Sequence, residues 1–273
     1  EWHRESPLRT VLHISDIHFG PKHLPEVSAG VLELAAGRRP DLVVLSGDLT
    51  LRAKPRQFRA ARAFVDELER IAPVVAVPGN HDVPLYRVWE RLLAPFGAWR
   101  RYFDRELEPV FRDEELLVVG VNTAQAFAVK GGRIRRRRLA EVDRLLAEAP
   151  PALFRILVVH HHLVRPPGVK CEHPAWRAGE AIARWGREKV DLVLSGHLHQ
   201  TLELRPAGDD GFLALHTGTT SSSRGRGPEA GRNSLHWIEV GHGSFRVERH
   251  FWDRPGGRFE VAHDQRFRRR PPR

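Results

Sequence analysis

The chain has 273 residues, with 44 Lys and Arg against 34 Asp and Glu and a formal net charge of +10. That length suits one large α/β or sandwich domain with insertions, and 41% apolar residues support a sizeable core. No apolar run approaches the roughly 20 residues of a membrane span, and the single cysteine, Cys171, excludes an internal disulfide and suits a reducing compartment, so a cytoplasmic location is expected.

Glu1-Trp2-His3-Arg4 carries no charged-then-apolar leader and no Met, which reads as a trimmed or processed start. The basic excess raises nucleic acid as a partner. Yet the basic residues are mostly Arg, spread along a chain rich in Ala, Gly and Pro, a bias that looks like codon composition as much as selection for a polyanion. Neither nucleic acid nor a membrane surface is therefore expected as a partner. Two basic clusters stand out: Arg133 with Arg135–Arg138, read as the solvated start of a helix, and the run from Arg266 to Arg273, read as a disordered tail.

In chain order, residues 11–15 read as a strand and 26–36 as a helix. Residues 41–46 read as a second strand, its apolar centre 42–45 of the kind found in strands buried on both faces. Residues 57–71 are helical, with Phe58, Ala61, Phe64, Val65 and Leu68 on one face. Residues 73–77 are a third strand. The stretch 84–111, aromatic-rich and without a clear period, reads as a helical cap insertion. Strands follow at 116–121, 156–159 and 191–195, with helices at 139–146 and 178–187. After Gln200 the texture changes to strands at 201–205, 212–217, 234–240 and 244–251 joined by Gly-rich turns. A mostly parallel central sheet with a second, antiparallel-leaning sheet from this late meander is expected. The domain is placed at 1–255, followed by a basic tail at 256–273.

The polar residues cluster where buried strands stop, the place where open α/β sheets bind ligands. Five strand ends offer Asp16 and His18; Asp48 after Gly47; Asn80, His81 and Asp82 after Gly79; His160, His161 and His162; and His197 and His199 after Gly196. Each has a plain alternative as a cap, a turn or a hydrogen-bonded surface residue. Taken together they do not, since all five offer only Asp, Asn or His. Imidazole and carboxylate without thiolate suit Mn, Fe, Zn or Co. Asp16, His18, Asp48, Asn80, His160, His197 and His199 are too many ligands for one ion and suit two, if a carboxylate bridges them.

The ordered series D-x-H, G-D, G-N-H-D, H and G-H-x-H, spanning roughly residues 8 to 252, resembles the calcineurin-like metallophosphoesterases in all five motifs. The resemblance implies a four-layer α/β/β/α sandwich and two divalent ions, with Mn favoured in vitro. It implies that Asp16, His18 and His199 hold one ion and Asn80, His160 and His197 the other, with Asp48 as the bridge. It implies that His81 faces the substrate phosphate and that Asp82 orients His81. By position His160 is the ligand of the triple histidine and His161 is not; His162 stands where the family often has Pro.

The wording is most similar to the bacterial cyclic-nucleotide and glycerophosphodiester phosphodiesterase branch. Leu49 follows Asp48 where purple acid phosphatases supply a metal-binding Tyr. The implied reaction is attack of metal-activated hydroxide on a small-molecule phosphodiester or monoester. A nuclease of the SbcD type and a lipid-linked nucleotide pyrophosphatase are the alternatives, the latter with Trp89, Trp99 and Phe103 in a membrane-facing cap. Arg52, Lys54 and the stretch Ser221-Ser222-Ser223-Arg224 are candidates for substrate contact, with solvated loops as the simpler account.

Overall fold

The computed structural model describes residues 9–168, 173–186, 189–206 and 212–269. Cys171, Arg187 at the end of the expected helix 178–187, and the final residues 270–273 lie outside the described residues. Strands β1 (Arg9–Ile14), β2 (Leu42–Leu45) and β3 (Val74–Ala76) run parallel, side by side in that order. On the other edge of β1, strands β10 (Ser234–Val240), β11 (Ser244–Asp253) and β12 (Arg258–Arg268) extend the sheet antiparallel. In the second sheet β5 (Leu116–Val121), β6 (Phe154–Val159), β7 (Leu192–Ser195) and β9 (Leu213–His216) run parallel, and β4 (Val110–Arg112) and β8 (Leu202–Leu204) close its edges antiparallel. Each sheet has six strands.

The alternation of side chains along a strand makes the layers. In β2, Val43 and Leu45 face α1 (Pro25–Arg38) and α2 (Pro55–Glu69), whereas Leu42 and Val44 face the other sheet and meet Val118, Ile156 and Leu194. On the far side, α5 (Arg136–Glu148) and α6 (Ala178–Trp185) cover Val119, Val121, Leu157 and Val193. The order is helix, sheet, sheet, helix, the expected α/β/β/α sandwich. Helices α1 and α2 both begin with a Pro in the first turn, where its missing N–H costs nothing. Within residues 84–111 lie α3 (Val88–Leu93) and α4 (Gly97–Tyr102). Trp99 is fully buried there, against Phe58 and Phe103, so it belongs to the core and not to an outward-facing aromatic cap; of Trp89, Trp99 and Phe103, Trp89 alone is exposed.

Two expectations need correction. The late strands do not build a sheet of their own: β8 and β9 join the second sheet, and β10 to β12 return to flank β1. Both sheets are mixed: the chain leaves the first after β3, builds the whole second sheet with β4 and β8 as antiparallel edges, and comes back to the first with β10 to β12. The stretch beyond residue 255 is also not a disordered tail over its described part, since β12 pairs with β11 from Ser244 opposite Arg268 to Asp253 opposite Arg258. Its outer face carries most of its charged residues, which masked the alternation, while Phe259 and Phe267 point inward and are buried. Phe267 stacks on Phe245 with ring centroids 5.2 Å apart, and the Arg246 guanidinium donates two 2.7 Å bonds to Asp264. Phe267→Ala should therefore cost about 3 kcal/mol and lower the melting temperature by on the order of 5–10 °C. A thermal melt matching that of the parent would show that β12 does not help hold the core.

Candidate metal centre

Because β1 and β2 are paired neighbours, the chain leaves them side by side: the Asp16 N–H donates to the Gly47 carbonyl and the His18 N–H to the Asp48 carbonyl, each at 3.0 Å. The ends of β3, β6 and β7 bring Asn80, His160, His197 and His199 to the same place. Five of these residues hold a left-handed backbone, with φ of 53° at Asp16 and His18, 55° at Asp48, 70° at His197 and 56° at His199. That conformation costs a non-glycine residue roughly 1–2 kcal/mol, and it turns each side chain sharply off its strand. The motif glycines make room for the carboxylates: a Cβ on Gly79 would lie 2.1 Å from Asp48 Oδ1, and one on Gly196 would lie 2.2 Å from Asp16 Oδ2.

Ligand-type atoms gather into two groups. Those of Asp16, His18, Asp48 and His199 lie within 4.8 Å of one another, as do those of His160, His161 and His197. Asp16 Oδ1 stands 3.5 Å from His18 Nε2 and 3.0 Å from His199 Nε2. Asn80 Oδ1 stands 3.2 Å from His160 Nε2 and 3.1 Å from His197 Nδ1. Asp48 lies between the groups, with Oδ2 at 3.8 Å from His18 Nε2 and Oδ1 at 3.3 Å from His160 Nε2.

The surrounding bonds aim these atoms inward. His160 Nδ1–H donates to the Ser46 carbonyl at 2.8 Å and His199 Nδ1–H to the Arg224 carbonyl at 2.9 Å, which leaves each Nε2 lone pair for the site. Asn80 Nδ2 donates to the Val129 carbonyl at 3.0 Å, turning its oxygen the other way. Asp16 Oδ2 accepts from Ser15 Oγ and the His197 N–H, whereas Asp16 Oδ1 and Asp48 Oδ2 are buried with no hydrogen-bond partner among the described residues.

Burial favours the neutral acids. Against it, His199 and His18 hold Asp16 well below the usual carboxylate range, and His160, His81 and His18 do the same for Asp48. Burial pushes His18 down to about 4, leaving it neutral, while Asp48 overcomes burial at His160 and holds it up to about 9, so that the His160 Nε2 carries a proton which a bound cation would displace. Two buried carboxylates with bare oxygens, ringed by imidazole nitrogens, form a site that calls for positive charge. The donor set fits divalent ions of the Mn, Fe, Zn and Co kind. His161 also reaches the second group, its Nδ1 2.8 Å from Thr123 Oγ1 and its Nε2 without a hydrogen-bond partner among the described residues.

The sequence profile of the calcineurin-like phosphoesterases matches residues 9–201. The chain belongs to that family. It is 34% identical over 168 residues to a probable cyclic nucleotide phosphodiesterase of Synechococcus, an alignment covering 60% of this chain and 59% of that protein. It is 29% identical over 210 residues to the 3′,5′-cyclic adenosine monophosphate phosphodiesterase CpdA of Escherichia coli, covering 71% and 70%. The fold is shared with a purple acid phosphatase from yellow lupin at a TM-score of 0.73 and 14% identity, over 96% of this chain and 54% of that one. The profile match carries the family membership, and the lupin phosphatase shares the fold alone.

In this calcineurin-like phosphoesterase the metal centre opens into a pocket of about 200 Å³. His81 lies on its wall, with the ring edge-on to His18 at 4.9 Å between centroids. His81 Nδ1–H donates to the Leu51 carbonyl at 2.8 Å, and its Nε2 faces Arg224 Nη2 at 3.3 Å. Asp82 does not orient that ring, contrary to the expectation from sequence. Its carboxylate accepts from the N–H groups of Leu49, Thr50 and Gly79 and from Thr50 Oγ1. It therefore fixes the two loops that carry Asp48 and His81, and the ring is held by a backbone carbonyl instead.

The other loops are more ordered than their polar sequences suggest. Arg52 Nη1 lies 3.1 Å from both the Leu51 carbonyl and His81 Nδ1, placing its charge at the pocket wall. Ser221 and Ser222 are buried and bonded, to Ser28 Oγ and to the Asp16 carbonyl, so this stretch is not a loose polar loop. Arg224 was only a weak candidate in sequence because nothing there ties it to His81; the contact spans 143 residues of chain.

Proposed function

We propose that this protein is a binuclear metal-dependent phosphodiesterase acting on a small molecule, of the cyclic-nucleotide or glycerophosphodiester kind. The observation that carries the reading is the place of Asp48, whose two oxygens face two separate nitrogen- and oxygen-rich groups. In this reading Asp16, His18 and His199 hold one ion, Asn80, His160 and His197 hold the other, and Asp48 bridges them. Bound there, two divalent ions would supply positive charge to the phosphate oxygens and lower the pKa of the attacking water. Manganese suits this donor set in vitro, with Fe, Zn and Co as alternatives. His81 and Arg224 face the same space and would meet the phosphate and the leaving oxygen; Arg52 adds charge beside them. The relatives' phosphodiesterase names support the diester over the nuclease and lipid-pyrophosphatase alternatives. The single cysteine suits activity in the cytoplasm, and no helix among the described residues is long and apolar enough to cross a membrane.

Treating the protein with a chelator and assaying bis-p-nitrophenyl phosphate tests the reading. Turnover should fall by at least about 10²-fold and return when Mn is added. Turnover that survives complete metal removal would rule out a two-metal phosphodiesterase.

A further inference from the structure

Beside the metal-centre pocket lies a second cavity, of about 500 Å³. A single strip of chain divides them: Phe127 lines the second cavity, while Val129 and Lys130 line the first. Three residues of extended chain span at most about 11 Å, so the two cavities lie within reach of one small organic molecule. Arg133, Arg135, Arg136 and Arg177 line the second cavity, and no Asp or Glu is among the described residues lining it.

This is the arginine cluster that reads in sequence as a solvated helix start, and the structure divides its members by role. Arg138 is buried and donates to the Gly120 and Glu108 carbonyls, so it is structural. Arg133, Arg135 and Arg136 make no ion pair within 4.0 Å among the described residues. Arg135 and Arg136 sit at the start of α5, whose first turn has no acidic residue and whose N-cap makes no side-chain bond. Positive charge is already concentrated at that helix end, so adding cations there is unfavourable unless an anion joins them. Arg177 is held toward the same place by a left-handed backbone, φ 69°, and by a 3.0 Å bond from its guanidinium to the Ile134 carbonyl. Apart from Gln125 the rest of the lining is apolar, with Phe96 buried and Phe127 85% exposed.

We propose that this cavity is an anion subsite for a phosphorylated organic ligand. Guanidinium groups match phosphate oxygens in paired hydrogen bonds, and the apolar lining, with Phe96 and Phe127, takes the ligand's body. The ligand is either part of a substrate whose ester bond lies at the metal centre or a separate effector. The first case rests on the phosphodiesterase reading above; the subsite itself does not.

The probe is ADP, titrated calorimetrically into the metal-loaded protein beside adenosine. ADP should bind at least about tenfold more tightly than adenosine, because charge-assisted bonds are lost with the phosphates. Arg135→Glu/Arg136→Glu should weaken ADP binding by at least the same factor and leave kcat/KM on bis-p-nitrophenyl phosphate within about twofold, since neither arginine lines the metal-centre pocket. Arg266→Glu/Arg268→Glu makes the same charge change at the end of β12, next to Arg269, which bonds Asp191 ahead of β7, at the end of the strands opposite the metal centre. That variant should bind ADP as the parent does. An unaltered ADP affinity in the first variant, an equal loss in the second, or no ADP binding by the parent would each overturn the proposal. ADP acting as a competitive inhibitor of diester hydrolysis supports a substrate subsite, and non-competitive inhibition supports an effector subsite. Absence of diester turnover in the parent sinks the phosphodiesterase reading and leaves the ADP comparison standing.

Discussion

Asp48→Asn is expected to lower kcat on an activated diester by more than about 10²-fold, beyond the 10- to 100-fold typical of losing a ligand's outer partner. The charge is what matters. Asp48 is buried with one oxygen toward His160 and the other toward His18, so a single carboxylate faces both groups. An amide keeps the shape, and its oxygen can still accept the 2.8 Å bond from the His81 N–H. It offers only one oxygen, however, and no net charge to two cations. Asn80→Ala removes a neutral ligand from one group, and His18→Ala removes a neutral imidazole from the other, so each should cost less than Asp48→Asn. Elemental analysis beside kcat decides the matter. An Asp48→Asn protein that retains two ions per chain and near-parent kcat would show that the bridge lies elsewhere.

Much of this site is legible in the sequence because its residue types repeat at strand ends. Asp16, Asp48, Asn80, His160 and His197 all follow short apolar runs, and an apolar run buried on both faces ends where ligands bind in α/β sheets. The structure brings all seven expected ligands together. What the sequence hides is pairing. Leu42 and Val44 look like Val43 and Leu45, although they face different layers, and nothing in such a run says which strand lies beside it. The return of β10 to β1 is invisible in such runs for that reason. In β12 the opposite problem arises, since a strand with one wet face and arginines along it reads as a charged tail.

The roles of Asp82 and Arg224 were hidden for a further reason. Asp82 is next to His81 in sequence, which suggests a partnership. Backbone geometry sends its carboxylate instead to two N–H groups of the loop that carries Asp48 and to the Gly79 N–H of its own loop. Burial, reinforced by the charge of Asp48, pushes Asp82 up to about 7. Its bonds to those amides resist that rise. The left-handed backbone at five of the seven metal-centre residues is equally invisible in residue identities. Strain of this kind persists where the surrounding structure over-determines it, and here the motif glycines and the cross-loop bonds do so.

His81→Ala is expected to keep the metals and to lose kcat by roughly 10²–10⁴-fold, the scale of general acid–base catalysis. The ring is anchored at Nδ1 by the Leu51 carbonyl and turned so that Nε2 faces the pocket beside Arg224. Its main-chain N–H donates to Asp48 Oδ1 at 2.8 Å, so the ring lies close to the metal centre without offering it a nitrogen. Burial lowers the His81 pKa, and the Arg224 and Arg52 charges lower it further against the pull of Asp48. A less basic imidazole is the stronger acid once protonated, which suits giving a proton to a departing alkoxide. The loss should therefore depend on the leaving group. p-Nitrophenolate departs without a proton and should lose least, whereas an alkyl ester should lose most. The deciding measurements are metal content and kcat on both esters for His81→Ala. A missing ion would make His81 a ligand, and equal losses on the two esters would make it a phosphate-binding group and not the proton donor.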